Sequence, residues 1–191
     1  MTSEREVGRF LARVAAKAFG GEPHVDRYYD EAESRFIDVL SCADRPAEEY
    51  STYSTLGLHR TANLMEGVDI RVEVAGVAPT QATAFPNMLA TAAFYVMKDG
   101  WLCAPGVVFP NLVREYDLSS TVEHVLWTPP FAWEELSAVE VDGDTAVHWL
   151  QAVPISEGER RFLVEHGFDV LESLFVEHEV EYFDLERPSL V

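Results

Sequence analysis

Residues 145–191, TAVHWLQAVPISEGERRFLVEHGFDVLESLFVEHEVEYFDLERPSLV, decide how the rest of this chain is read. The apolar run 146–153 reads as a buried strand that Pro154 stops. Ser156 and Glu159 have the spacing of a capping box, in which the Ser156 hydroxyl accepts from the Glu159 amide and the Glu159 carboxylate reaches back to the Ser156 amide. Phe162, Leu163, Val170, Leu171, Leu174 and Phe175 then recur at helical spacing, with His166-Gly167 as a joint between two helices or a kink. The stretch closes on Asp184, Arg187, Pro188 and Ser189 and holds no recognisable catalytic chemistry.

Immediately upstream, 139–141 and 146–150 flank Asp142-Gly143, a dipeptide that supplies the positive φ angles of a tight hairpin turn. Residues 122–127 read as a strand running into Thr128-Pro129-Pro130, where two prolines forbid further ladder donation. Leu89, Ala92, Ala93, Val96 and Met97 form the apolar face of a helix opened at Pro86 and closed by Lys98 and Gly100. Residues 69–76 alternate, with Ile70, Val72 and Val74 facing one way and Arg71 and Glu73 the other, the pattern of a half-buried strand. Strands are also expected over 35–41 and 50–58, the second pausing at Gly57.

A first helix is expected over 3–19, capped by Ser3, with Val7, Phe10, Leu11, Val14 and Ala18 as its buried stripe. Arg5, Arg9, Arg13 and Lys17 form a second stripe at i,i+4 spacing, either a ridge for a partner or membrane, a targeting helix, or a solvated face neutralising the chain's own carboxylates. This order of elements is too irregular for a doubly wound fold. It predicts an α+β fold, a mixed β-sheet flanked by helices in a single domain spanning 1–191.

Composition narrows the function. With 14 Lys and Arg against 33 Asp and Glu, the net charge is −19, which argues against nucleic acid as a partner and favours basic ones. Cys42 and Cys103 form no metal-binding or disulfide pattern. The longest apolar stretch, 82–97, is too short and too interrupted to cross a membrane, and no signal-peptide core opens the chain, so cytoplasmic residence is the default.

Motifs for nucleotide binding, serine hydrolysis and zinc proteolysis are missing. His166, His178, Glu179 and Glu181 are too dispersed to signal a metal site, and no cofactor is signalled. His148 reads as a sheet residue rather than a base, because a base needs a nucleophile and an orienting partner. Carboxylate pairs such as Glu134-Glu135 are expected by chance in so acidic a chain. Trp127, Phe131 and Trp133 form an aromatic cluster, either a peptide-docking surface or a core edge.

The C-terminal half resembles the Suppressor of fused-like domain family. The resemblance rests on a strand leading to Pro129 and Pro130, the Trp149 strand ending in Pro154, Ser156 and Glu159, the helix opened by Gly167, and the closing Asp184, Arg187, Pro188 and Ser189. Thr52 to Leu58 also looks like the family's Thr-x-Gly-x-Ser-type segment, with His59 where Ser is common. The resemblance implies an α+β domain without enzyme activity, hence no catalytic residue. Animal members bind and restrain a transcription factor, and bacterial members are commonly immunity proteins of toxin systems. The expectation is a protein-binding domain that neutralises a partner such as a basic toxin through the acidic segments 22–49 and 157–186. The alternatives are an enzyme built from scattered residues such as His124 or His148 with a carboxylate, and a stand-alone regulator or scaffold. Asp184 with Arg187 would either pin the C-terminal tail to the sheet or contact the partner.

Overall fold

The computed structural model describes residues 4–142 and 145–191. Helix α1 (Glu4–Phe19) precedes three antiparallel strands, β1 (Pro23–Tyr29), β2 (Phe36–Ala43) and β3 (Tyr50–Leu56). A small hairpin of β4 (Leu64–Met65) and β5 (Val68–Asp69) leads to β6 (Arg71–Pro79) and then to helix α2 (Phe85–Asp99). There follow β7 (Val108–Phe109), the short α3 (Leu112–Glu115), β8 (His124–Thr128), β9 (Val139–Asp142) and the long β10 (Thr145–Ile155). Two helices, α4 (Glu157–His166) and α5 (Phe168–Glu177), close the order.

The main sheet runs β1-β2-β3-β6-β10-β8-β7, with β9 also on β10. Among the described residues only β6 and β10 pair in parallel. The mixed sheet flanked by helices is thus the architecture expected from the sequence. Alternation along β10 explains the layers. Val147 and Trp149 pack with α1, while Val153 and Ile155, on the same face, pack with α4 and α5. Leu150 and Ala152 point to the opposite face, which α2 covers.

Several elements differ from the expectation. In α1 the buried residues are Val7, Leu11, Ala15 and Phe19, whereas Phe10 is 43% exposed. Phe10 falls off this stripe because α1 meets the sheet along i,i+4 steps; Ser3 lies outside the described residues. The 69–76 strand is buried on both faces, because β6 is a central strand with helices above and below it. Pro154 does not stop its strand: β10 continues to Ile155, with Pro154 opposite Val125. Beyond Gln151, β6 no longer pairs with β10, so the missing amide interrupts no ladder there. Val170 of the expected helical stripe is 47% exposed. The proposed Asp142-Gly143 turn includes Gly143, which lies outside the described residues.

Strand β1 was not anticipated. Six of its seven residues are exposed, so no face carries a hydrophobic period. It is held instead by Arg27, which donates to both carboxylate oxygens of Asp38 (2.7 and 3.0 Å) and lies 3.9 Å above the Phe36 ring. The turn to β2 is tied by Asp30, whose carboxylate accepts from the amides of Ser34 (2.7 Å) and Arg35 (3.0 Å). Above all the Arg35 amide bond draws the Asp30 pKa down to about 2.

The sheet centre tolerates no added atom at Gly76. A Cβ there would stand 2.9 Å from the ring of Phe85, which is fully buried. Gly76→Ala is expected to destabilise by about 1–3 kcal/mol through overpacking. In a chain of this size that corresponds to a Tm lower by about 2–12 °C, read by thermal unfolding.

Candidate functional site

Two buried carboxylates organise the residues singled out in the sequence. The first is Glu159, the last member of the capping box. Its carboxylate accepts from the Ser156 amide (2.9 Å), and the Ser156 hydroxyl accepts from the Glu159 amide (3.1 Å). The Arg187 guanidinium, only 4% exposed, then lays Nη1 on one Glu159 oxygen (2.6 Å) and Nη2 on the other (2.8 Å). Nη2 also donates to the Pro154 carbonyl at 2.9 Å, on the edge that β6 has vacated. The Leu190 amide reaches Glu159 at 3.2 Å, and the Ser156 and Ser189 hydroxyls meet at 2.6 Å.

Arg187 therefore pins the tail through Glu159, not through Asp184. Asp184 instead accepts from the amide of Glu186 (2.8 Å) through its carboxylate and from the Arg187 amide (3.4 Å) through its carbonyl, a local turn that leaves the guanidinium to Glu159. Gly158 completes the clasp, because a Cβ there would collide with the Val191 carbonyl. Pro188 is exposed, and Gly167 separates α4 from α5 with φ 91°.

The second carboxylate, Glu73, is fully buried in β6. It accepts from Thr55 Oγ1 (2.6 Å) and from the amides of Gly57 (2.7 Å), Leu58 (3.3 Å) and His59 (3.3 Å). His59 Nδ1 lies 2.6 Å from it. The 50–58 segment is thus β3 followed by a turn wrapped around one anion, with Gly57 at φ 121° where a side chain would be strained. Sequence reasoning placed Glu73 on a solvated face. The one available signal was a lone acid inside the apolar run VEVAGVA.

Pro129 and Pro130 leave the sheet after β8, and Gln151 takes up the amides of Phe131 and Ala132, both at 3.1 Å. Trp149 is buried and donates from Nε1 to Ser54 Oγ at 3.0 Å. The expected aromatic cluster is divided: Trp127 is buried under α2, Trp133 packs on Phe19, and Phe131 alone faces out at 47% exposure. They part because the chain reverses between the faces of the sheet after Pro130.

Phe131 forms one wall of a groove of 570 Å³. Its floor is Leu126, Thr128 and Phe175, and its other walls are Phe168, Val176 and Tyr182. The Phe131 and Tyr182 rings lie 4.6 Å apart. Burial raises the Tyr182 pKa, so the phenol stays neutral. Glu172 and Glu177 stand on the rim. Residues 157–191 hold ten carboxylates and three arginines. Arg160 and Arg161 are committed to Glu157 and Arg187 to Glu159. Among the described residues no salt bridge reaches Glu165, Asp169, Glu172, Glu177, Glu179 or Glu181, all exposed.

Of the two histidines named for the enzyme alternative, His124 is paired with a carboxylate and His148 faces none in its cavity. His124 is 3% exposed; its Nδ1 accepts from the Asn111 amide (2.8 Å) and its Nε2 faces Glu157 (3.0 Å), so both ring nitrogens are engaged. His148 is exposed in a second cavity whose walls contain no carboxylate. Among the described residues no three His, Cys, Asp or Glu side chains converge as metal ligands, and no helix is long and apolar enough to cross a membrane.

Over its whole length the chain is 37% identical to the Immunity protein YqcF of Bacillus subtilis strain 168, in an alignment covering 100% of this chain and 99% of that protein. Its fold matches the crystal structure of a Suppressor of fused homologue from Neisseria gonorrhoeae FA 1090, with TM-score 0.75 and 21% identity over 98% of this chain and 96% of that one. It also matches a chain of the Sufu-Fu complex, with TM-score 0.66 and 13% identity over 94% and 91% of the two chains. Residues 33–188 fit the family described as Suppressor of fused protein (SUFU), and they include Glu73, Glu159, Arg187 and the groove. The chain belongs to the Suppressor of fused family.

Proposed function

We propose that this chain is a non-enzymatic, cytoplasmic immunity-type protein that binds a toxin protein stoichiometrically and blocks its substrate cleft. The observation that carries this reading is the end-to-end similarity to an immunity protein, 37% identical over 193 residues. Charge supports a basic toxin. At −19 the chain attracts cationic partners over distances of about a Debye length, which speeds association more than it deepens affinity.

Co-expression with the protein encoded directly upstream tests the proposal. Protection of the host cell and a 1:1 complex on size exclusion are expected, with an association rate that falls about tenfold from low to high salt. Absence of both protection and complex would remove the immunity reading. A complex whose association ignores salt would remove the electrostatic part alone.

A further inference from the structure

We propose that the groove between α5, the tail around Tyr182 and the Phe131 loop is the docking site for the protein partner, and that it receives an exposed apolar side chain flanked by Lys or Arg. This rests on the immunity reading above.

The groove combines an apolar lining with an acidic rim in one concave site. Its lining is apolar, with Val176 67% exposed and Phe131 47% exposed beside the floor residues Leu126 and Phe175. Open apolar surface edged by polar groups marks interaction sites. Its rim is acidic, and the carboxylates of this face have no cation of their own. In the other acidic segment, 22–49, Asp30 is paired with Lys98 and Asp38 with Arg27, and among the described residues its remaining carboxylates line no comparable apolar groove. Attraction left unspent at the groove therefore selects a basic partner there.

The walls are already fixed. Phe168 abuts Gly106, where a Cβ would lie 3.3 Å from it. Gln151 holds the Phe131 amide, and Phe175 and Phe131 hold the Tyr182 ring from two sides. The Arg187 guanidinium lies 5.4 Å from the Phe175 ring, so the clasp that pins the tail also supports the groove floor. A preformed site avoids much of the ordering cost of association. A second copy of this chain is a poor occupant, since it would bring one uncompensated acidic face near another.

The test titrates the inactivated protein encoded directly upstream into wild-type chain and variants. Val176→Asp is expected to weaken binding about tenfold or more, mainly through faster dissociation. Glu172→Lys with Glu177→Lys is expected to slow association about tenfold at low salt. Val176→Leu, and Glu31→Lys with Glu33→Lys in the other acidic segment, should stay within about twofold of wild type. All these positions are exposed, and matching thermal melts verify the folds. If wild type binds and the groove variants bind equally well, the groove is not the site and the immunity reading survives. If wild type does not bind, that reading itself fails. Self-association that Val176→Asp abolishes would make a second copy the occupant and overturn the proposal.

Discussion

Arg187→Ala is expected to lower the unfolding free energy by about 3–5 kcal/mol, the usual cost of removing one partner from a buried ion pair. The loss has three sources. Glu159, fully buried, loses the two charge-assisted bonds that balance it. The Pro154 carbonyl loses its donor on an edge where no strand replaces it. The tail loses one of its attachments, others being the bonds of Ser119 and Thr121 to the Leu185 carbonyl and of Ser120 to Glu186, and Phe175 loses the cation over its ring. Urea denaturation should show a lower midpoint, and the Leu190 amide should exchange faster with solvent because its acceptor is Glu159. Arg187→Lys should recover only part of the loss, since one ammonium cannot reproduce the planar fork on both oxygens. A midpoint unchanged by Arg187→Ala would mean that the clasp contributes nothing to stability.

Glu73→Ala should cost about as much or more, on the order of 5 kcal/mol, because it strands several donors at once rather than one charge. Thr55 Oγ1 and the amides of Gly57, Leu58 and His59 converge on this carboxylate, and His59 Nδ1 adjoins it. Thr55 alone has a second use, accepting from the Val74 amide at 2.9 Å. Against a typical total stability of 5–15 kcal/mol, the variant is expected to populate unfolded chain or to express poorly. Glu73→Gln separates charge from shape. It keeps one acceptor oxygen but points an NH2 group at other donors, so its chemical-denaturation midpoint should fall between wild type and Glu73→Ala. A Glu73→Gln protein as stable as wild type would show that the negative charge is unimportant to the wrap.

What the sequence disclosed and what it withheld divide along physical lines. Elements with a local signal were legible: the Ser156–Glu159 capping box, the Gly167 joint, and α2 with Gly100 at its end. These depend on residues within a few positions of one another. Arg187 with Glu159 and Glu73 with Thr55 depend on pairs separated by 28 and 18 positions, for which periodicity carries no information. The sequence left Arg187 as either a tail anchor or a partner contact, and proximity in sequence suggested Asp184 as its neighbour. Strand β1 escaped because an edge exposed on both sides has no reason to alternate. The groove was half visible: Phe131 stood out, but its companions Val176 and Tyr182 come from a helix and a tail that only tertiary packing brings together.

The parallel pairing of β6 with β10 bears on how the protein is made. The first half of the chain can form the antiparallel succession β1-β2-β3-β6 as soon as β6 is complete at Pro79. The neighbour of β6 on its other side is β10, which ends at Ile155. At synthesis rates of roughly 5–20 residues per second, the apolar run VEVAGVA stays the open margin of a half-built sheet for about 4–15 s on the ribosome. Helix α2, completed at Asp99, can shelter one face of that intermediate, but not its hydrogen-bonding edge. Assembly of this fold is therefore governed by the arrival of β10, and the nascent chain is most vulnerable to pairing with a neighbouring molecule just before it arrives.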